Sequence, residues 1–167
     1  MRFAILSFVF VLCCYLIYPV SGSRPDDTSN NTTGKTNMQL GNFSISLAVK
    51  DVNVSKEFYE KLGFKVTGGD LNRKYVILQN ETSTVGLYQG MFEKNSLTYN
   101  PGWDRDKKTL AEFQDVREIQ QQLKMRGLNP VVAADESTSG PAFFTLVDPD
   151  GNPILIDQHV PNPAKKE

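Results

Sequence analysis

The chain contains one histidine, His159, and any mechanism that needs an imidazole near neutral pH must use it. A single histidine cannot form a metal site of several imidazoles, and no motif for serine-histidine catalysis accompanies it. A lone histidine close to the end of a chain is commonly a surface residue. The alternative is that His159 works with carboxylates that the fold brings near it.

Aromatic residues are the second group that could recognise a ligand, because aromatic side chains commonly line apolar pockets. The alternative for each is packing inside the domain. For the tryptophan, in the sequence NPGWD, anchoring its own segment against a sheet is an equally good explanation. The candidates are Tyr59, Tyr75, Tyr88, Tyr99 and Trp103.

Length and charge bound the class of protein. The 167 residues suffice for one domain, and 18 Lys+Arg against 19 Asp+Glu leave the chain almost neutral. No basic stripe is present, so we expect no nucleic-acid partner. Small molecules or other proteins are the expected partners.

The amino-terminal segment has the layout of an export signal. Arg2 precedes an apolar run over residues 3–20, and small residues follow, with cleavage plausible after Gly22. The run has 18 residues, which is also just long enough for a membrane anchor. Residues 1–22 are therefore predicted to be a signal peptide or an N-terminal anchor. The protein would be exported, either secreted or periplasmic, or it would be tethered to a membrane through residues 3–20.

The rest of the chain divides into a linker, a domain and a tail. Residues 23–37 contain no large apolar residue and predict a flexible linker. Residues 38–160 carry the apolar patterns of a folded domain, and residues 161–167 form a polar tail. Both cysteines, Cys13 and Cys14, precede the linker, so the domain would have no disulfide.

The domain contains an internal repeat. Asp51-Val52 is followed twelve residues after the aspartate by Gly63, and Asp115-Val116 is followed by Gly127 at the same distance. The two copies are therefore offset by 64 residues. Each aspartate can cap a helix and each glycine can end one.

The strand patterns complete each copy. Residues 42–49 alternate apolar and polar side chains, which predicts a strand before the first helix. Three strand-like runs follow each helix, so each half is predicted to be βαβββ, and residues 91–107 are predicted to join the halves. The runs are Lys65–Gly68, Lys74–Gln79 and Thr84–Gln89 in the first copy, and Pro130–Ala134, Ala142–Val147 and Pro153–His159 in the second.

Two motifs, LAVKDV with KEFYEKLGF at Leu47–Phe64 and DPDGNPILID at Asp148–Asp157, resemble those of the vicinal-oxygen-chelate superfamily. That superfamily includes glyoxalase I, bleomycin-resistance proteins and extradiol dioxygenases. The resemblance covers nearly all of residues 40–160. It implies an α+β fold in which two tandem βαβββ modules form a curved mixed sheet around a cleft. In the metal-dependent members, that cleft holds one divalent ion bound by His, Glu or Gln side chains.

The resemblance also locates the four positions that would bind the metal, namely Ser44, Gly86, Lys108 and Leu155. Glycine and leucine have no side-chain donor, a serine hydroxyl is a weak one, and a lysine ammonium repels a cation. We therefore predict that the usual metal site is absent and that no cofactor is bound.

Residues of the same strand parity as these four positions are expected to face the cleft as well. They include Ser46, Tyr88, Glu112 and Asp157, and two carboxylates in a cleft could act as acid and base. The alternative is that the carboxylates are solvated at the rim. The predicted ligand-binding residues are Ser44, Ser46, Tyr88, Trp103, Lys108, Glu112 and Asp157, and the catalytic candidates are Glu112, Asp157 and His159.

Three functions remain open at this stage. The first is a metal-independent binder of a small molecule, comparable in role to bleomycin-resistance proteins. The second is a lyase or isomerase resembling glyoxalase I, with its acid/base or metal site relocated to Glu112, Asp157 and His159. The third is an interaction module outside the cytoplasm. A homodimer formed through an exposed sheet edge is also a prediction, and the fold alone does not choose among these roles.

Overall fold

The computed structural model describes residues 37–163. The predicted signal peptide or anchor, nearly all of the predicted linker and the last four residues of the tail lie outside the described residues. Within the described part, neither helix combines the length and apolarity that crossing a membrane requires.

The first half of the domain, residues 42–89, follows the sequence pattern closely. Strand β1 is Asn42–Val49, and helix α1, Val52–Lys61, begins where the Asp51 carboxylate accepts hydrogen bonds from two backbone N–H groups. Gly63, at φ 89°, takes the left-handed conformation that ends the helix. The remaining strands are β2, Lys65–Asp70; β3, Tyr75–Asn80; and β4, Ser83–Gln89, with a 3-10 turn at Leu71–Arg73.

The second half, residues 96–158, has one helix and three strands. Helix α2 begins after Asp115, whose carboxylate caps it, and the chain turns away at Gly127, at φ 82°. Its first residue lies 64 positions after that of α1, which is the predicted offset. The elements are β5, Ser96–Asn100; α2, Val116–Met125; β6, Ala142–Val147; and β7, Pro153–Gln158.

All seven strands form one curved, open sheet in the order β2-β3-β4-β1-β5-β7-β6. Strand β1 pairs in parallel with β4 and antiparallel with β5, and β5 pairs in parallel with β7. The sheet is therefore mixed, and the predicted α+β class is confirmed.

Each helix covers its own apolar cluster on one face of this sheet. The cluster under α1 centres on Leu78 and Leu87, and the cluster under α2 centres on Ile119, Phe144 and Ile156. Because strand side chains alternate, the opposite face carries the residues between these core positions. That opposite face forms the cleft.

The first strand of the second half differs from the prediction. It is β5, which lies in the segment predicted to join the halves, and not a strand near Lys108. Fifteen residues, 101–115, separate β5 from α2, whereas only Lys50 and Asp51 separate β1 from α1. The prediction assumed that the first strand lies at the same distance before the helix in both halves, and it therefore misplaced this strand.

The predicted strand Pro130–Ala134 is also wrong as a regular strand. It contributes only an isolated bridge, between Val132 and Thr145. Pro130 has no N–H group for a strand ladder, and the Gln120 side chain accepts from the Ala134 N–H and donates to the Ala134 carbonyl oxygen. The second half is thus one strand short of the predicted βαβββ.

Candidate functional site: the cleft of the curved sheet

The cleft lies on the face of the sheet opposite the helices and has a volume of about 660 Å³. Strands β1, β4, β5, β6 and β7 supply its floor and walls, and the segment between β4 and β5 supplies one rim. It is lined by Ser44, Ser46, Tyr88, Met91, Phe92, Glu93, Lys94, Ser96, Thr98, Asn100, Thr145, Pro153, Leu155, Asp157 and His159.

Small polar side chains form the floor, and most of them are hydrogen-bonded to one another or to the backbone. The hydroxyl groups of Ser46 and Thr98, both buried, are 2.9 Å apart. Asn100 donates to the Asp157 carbonyl oxygen at 3.0 Å, and Ser96 donates to the Pro153 carbonyl oxygen at 3.3 Å. These bonds hold β1, β5 and β7 together beneath the cleft, because buried polar groups need partners.

Aromatic rings form the wall on the side of the first half. The rings of Tyr75 and Tyr88 are stacked, with an interplanar angle of 4° and centroids 5.8 Å apart. The Phe92 ring is tilted by 49° to that of Tyr88, with centroids 5.2 Å apart, and the Arg73 guanidinium lies over the Tyr75 ring at 5.7 Å from its centroid. The wall therefore offers a planar apolar surface to a ligand.

The Tyr88 ring occupies the space above Gly86, its neighbour two positions earlier on the same face of β4. A Cβ atom at Gly86 would lie 2.6 Å from Tyr88 Cε2 and 3.1 Å from Tyr88 Oη. A side chain at position 86 would therefore meet the ring, and the tyrosine would have to move to accommodate it.

The Tyr88 hydroxyl lies where the aromatic wall of the cleft meets its polar floor. Burial raises the pKa of the Tyr88 phenol above its usual value, a hydrogen bond to the Ser46 hydroxyl acts in the opposite direction, and the negative charge of Asp157 raises the pKa further. The phenol therefore stays protonated at neutral pH and remains available as a hydrogen-bond donor.

An acid–base pair lies on the opposite wall. His159 Nε2 and Asp157 Oδ2 are 3.2 Å apart, and both side chains are partly accessible. The imidazole stacks on the Trp103 indole, with centroids 4.2 Å apart and an interplanar angle of 15°. The carboxylate and the ring together fix the imidazole orientation, as a general acid or base requires.

The segment 101–115, which we call the connector, ties the two halves together. The Gln79 side chain on β3 donates to the Arg105 carbonyl oxygen at 2.7 Å. The Lys107 ammonium donates to the Thr67 carbonyl oxygen on β2 at 3.2 Å. The connector thus runs from β5 to the far edge of the sheet before it enters α2.

Three of the predicted binding residues lie on this connector and do not line the cleft. Lys108 and Glu112 are exposed on irregular backbone, where the strand-parity argument that selected them does not apply. Trp103 is half-buried and reaches the cleft only through its stacking on His159. Lys108 and Glu112 therefore do not line the cleft in this structure.

Five of the predicted site residues line the cleft. Ser44, Ser46, Tyr88, Asp157 and His159 all line the cleft. Of the remaining aromatic candidates, Tyr59 and Tyr99 pack against the two cores, and Tyr75 supports Tyr88. Sequence reasoning missed the contribution of β5, namely Ser96, Thr98 and Asn100, although their alternation with Leu97 and Tyr99 is a strand signal.

Strand pairing corrects one of the four metal-ligand positions. Ser46 pairs with Gly86 across β1 and β4, and Thr98 pairs with Leu155 across β5 and β7. The residue two positions before Thr98, Ser96, is therefore the counterpart of Ser44, in place of Lys108. The resulting set of two serines, a glycine and a leucine does not fit a divalent metal.

Among residues 37–163, no group of three or more His, Cys, Asp or Glu side chains is arranged so that it could hold a metal ion. Asp157 and His159, which both line the cleft, are paired with each other.

A second cavity, of about 520 Å³, lies on the outside of the second half. The connector from Thr109 to Phe113, the loop at Ser139 and Gly140, and the last described residues from Val160 form its walls. No predicted site residue contributes to it. We place the candidate site in the larger cleft, where polar, aromatic and titratable side chains converge.

Comparison with known proteins identifies the family. Residues 42–156 match the model of the Glyoxalase/Bleomycin resistance protein/Dioxygenase superfamily, so the chain belongs to that superfamily. None of the curated proteins matches the chain.

Solved structures share the fold at low sequence identity. A glyoxalase/bleomycin resistance protein/dioxygenase superfamily member from Vibrio splendidus 12B01 is 18% identical, with a TM-score of 0.51 over 71% of this chain and 98% of that one. A structure described as NAD-dependent benzaldehyde dehydrogenase from Legionella pneumophila is 17% identical, with a TM-score of 0.53 over 71% and 99% of the two chains. At this identity, both likenesses speak to the fold alone.

Proposed function

We propose that this domain binds a small, partly planar organic molecule in its cleft without the divalent metal that the metal-dependent relatives use. The observation that carries the proposal is the Tyr88 ring above Gly86, which fills the space that a metal-binding side chain at position 86 would need. The cleft volume of about 660 Å³ suits a ligand of ordinary metabolite size.

The distribution of side chains supports the same proposal. A planar ligand can stack on the wall of Tyr88 and Phe92, while its polar atoms meet the hydroxyl floor of Ser44, Ser46 and Thr98. Ligand sites combine a mainly apolar lining with a few placed polar groups, which is the composition found here.

Binding is tested by thermal denaturation of the domain with a panel of aromatic aldehydes, ketones, amides and acids. A ligand that binds only the folded state raises Tm in proportion to its occupancy. Leu155→Trp fills the cleft floor and is expected to abolish the shifts. The matched control is Leu62→Trp at the carboxyl-terminal cap of α1, away from the cleft, which is expected to retain the shifts. Shifts that survive Leu155→Trp contradict the cleft as the site.

The metal-free part of the proposal needs its own measurement. Elemental analysis of the purified domain is expected to show less than stoichiometric zinc, nickel, iron or manganese. Addition of these ions is expected to leave Tm unchanged. A stoichiometric metal that Asp157→Asn releases contradicts this part, whatever the ligand panel shows.

One observation favours a second function, a lyase or isomerase that uses acid–base chemistry. His159 and Asp157 form a pair in the cleft, and a stacked Trp103 orients the imidazole. The carboxylate lies 3.2 Å from one ring nitrogen, and the accessible edge of the ring could exchange a proton with a bound substrate. Glu112, the third member of the predicted set, lies outside the cleft and takes no part.

The two functions separate by mutation. If the domain is a binder, His159→Gln changes ligand affinity modestly and no chemical change of the ligand occurs. If it is an enzyme, prolonged incubation with a bound panel compound gives a product detectable by mass spectrometry, and His159→Gln removes that activity while binding persists.

We also propose that the domain acts after export, on the basis of the apolar segment at residues 3–20 and the small residues that follow. Expression of the full chain in a secretory host, followed by amino-terminal sequencing of the product, tests this. A product that begins near Ser23 supports cleavage, and an intact segment in the membrane fraction supports the anchor. A soluble cytoplasmic product with an intact amino terminus contradicts both.

A further inference from the structure

Three hydroxyl groups line the floor of the cleft, those of Tyr88 on β4, Ser46 on β1 and Thr98 on β5, and we call them the hydroxyl chain. The Ser46 and Thr98 hydroxyls share a hydrogen bond at 2.9 Å, and the Ser46 hydroxyl lies close enough to the Tyr88 phenol to lower its pKa. All three residues line the cleft, and Ser46 and Thr98 each expose only 6% of their surface.

The hydroxyl chain has more hydrogens than its own bonding uses. Each hydroxyl carries one hydrogen, so three hydroxyls supply three donors, whereas the bond between Ser46 and Thr98 uses one. Even a further bond between Tyr88 and Ser46 would leave one hydrogen over. All three hydroxyls line the cleft, so an acceptor on a ligand can take that hydrogen.

The position of the chain is informative as well. Tyr88 Oη lies 3.1 Å from the place that a Cβ atom of residue 86 would take, at one of the four positions where metal-dependent relatives carry a ligand side chain. The stacked Tyr75 and the adjacent Phe92 hold the Tyr88 ring in this place. A polar group thus stands in the part of the cleft where those relatives hold a metal ion.

We propose that the Tyr88–Ser46–Thr98 hydroxyl chain is the polar anchor of the cleft and donates one hydrogen bond to a neutral carbonyl oxygen of a planar ligand. This inference rests on the proposed binding function and deepens it by naming the group that is recognised. The nearby Asp157 carboxylate disfavours an anionic acceptor, because like charges repel across a partly buried site. The cleft therefore selects a ketone, aldehyde or amide over a carboxylate.

The test compares two probes of the same shape, 1-indanone and indane, which differ in one carbonyl oxygen. Affinities are measured by ligand-detected NMR titration of the domain. One hydrogen bond to a neutral acceptor is worth about 1 kcal/mol, so wild-type domain is expected to bind 1-indanone about 5-fold more tightly than indane. Tyr88→Phe keeps the ring and is expected to remove most of this preference.

Tyr75→Phe is the matched control, since Tyr75 stacks on Tyr88 but is not part of the hydroxyl chain. It is expected to keep the preference for 1-indanone. Equal affinity of the wild-type domain for both probes, or an equal loss in both variants, overturns the anchor and leaves the binding function standing. Failure of both probes to bind counts against the anchor and the binding function together.

A second measurement examines the chain without any ligand. The absorbance of tyrosinate is followed during alkaline titration, and the difference between wild type and Tyr88→Phe isolates Tyr88. Tyr88 is expected to titrate above the ordinary tyrosine pKa, and Ser46→Ala is expected to raise its pKa further, because the serine hydrogen bond lowers it. An ordinary pKa that Ser46→Ala leaves unchanged overturns the hydroxyl chain, provided that circular dichroism shows the fold intact.

Discussion

Helices α1 and α2 begin with the same dipeptide, Asp-Val, have ten residues each and lead to a glycine in the left-handed conformation, yet their surroundings differ. Helix α1 buries only Val52, whereas Val54, Phe58 and Leu62 remain more than half exposed. Helix α2 buries five residues, including the polar Arg117 and Gln120.

The caps of the two helices show the difference most clearly. Asp51 is exposed to solvent, and Asp115 is completely inaccessible. The Asp115 carboxylate accepts hydrogen bonds from the Arg117 guanidinium and from Gln158 on β7. Arg117 also bonds three groups of the loop that follows α2. The same local signal thus starts a surface helix in one half and a buried polar network in the other.

The largest expected effect comes from Arg117→Ala. It leaves the inaccessible Asp115 carboxylate without its cation, and removal of one partner of a buried ion pair costs about 3–5 kcal/mol. Urea denaturation measures the loss. Lys56→Ala, which breaks the exposed Lys56–Glu60 pair on α1, is the control and is expected to cost less than about 1 kcal/mol.

A double variant identifies the cause of that loss. Asp115→Asn retains a side chain that can cap the helix and removes the charge, so adding it to Arg117→Ala is expected to recover part of the stability. If the double variant is as unstable as the sum of its two single changes, the buried charge is not the reason.

Ile119→Ala tests the apolar side of the same contrast. Ile119 is fully buried under α2, and truncation in a packed core costs about 2–5 kcal/mol. Val54→Ala on α1 removes a side chain that is 66% exposed and is expected to change stability by less than about 0.5 kcal/mol. Similar losses in both variants would show that α1 is covered in solution by something outside the described residues.

Asp51→Ala is expected to have a smaller effect than either core change. The Asp51 carboxylate accepts from the backbone N–H groups of Asn53 and Val54, at 2.8 and 3.1 Å. Loss of such a cap costs about 1 kcal/mol, because the freed N–H groups can turn to water. Asp51→Asn retains a capping oxygen and is expected to recover most of the loss in the same urea titration.

The smallest expected effect depends on pH and belongs to the second half alone. Glu136 bonds Lys124, Gln120 and Gln121 on α2, and these contacts lower its pKa from 4.5 to about 2. A carboxyl group whose pKa falls on folding adds stability that is complete above the unfolded value. That stability is lost as the pH falls from 4.5 towards 2.

Glu136→Gln is therefore expected to lower the urea midpoint at pH 6 slightly and to lessen its further decrease between pH 5 and pH 3. Glu57→Gln on α1 is the control, since Glu57 makes no hydrogen bond or ion pair with the described residues. An identical pH profile for wild type and Glu136→Gln would contradict the contribution of these contacts.

The sequence predicted what is encoded locally. The aspartate caps, the helix-ending glycines and the alternation of residues 42–49 located both helices and β1 correctly. It failed where tertiary structure decides. The segment Pro130–Ala134 has strand-like residues, but only Val131 and Val132 bond a neighbouring strand, and the Gln120 side chain of α2 takes up the backbone groups of Ala134.

The candidate site divides in the same way. Residues on strands next to a recognisable motif, such as Ser44 and Asp157, were placed in the cleft. The prediction also placed Lys108 in the cleft, whereas the structure does not, because the prediction assumed equal spacing from strand to helix in both halves. A helix motif carries no information about the length of the segment before it. Strand pairing identifies β5 as the first strand of the second half, and fifteen residues separate it from α2.

The Tyr88 ring above Gly86 couples two positions of the cleft. A histidine or glutamate introduced at position 86 would meet the ring, so the tyrosine would have to move or be replaced by a smaller residue. That replacement would also remove part of the aromatic wall. A side chain that binds a metal at position 86 and an aromatic wall at position 88 are therefore alternatives for this cleft, and a designed metal site would need both residues changed together.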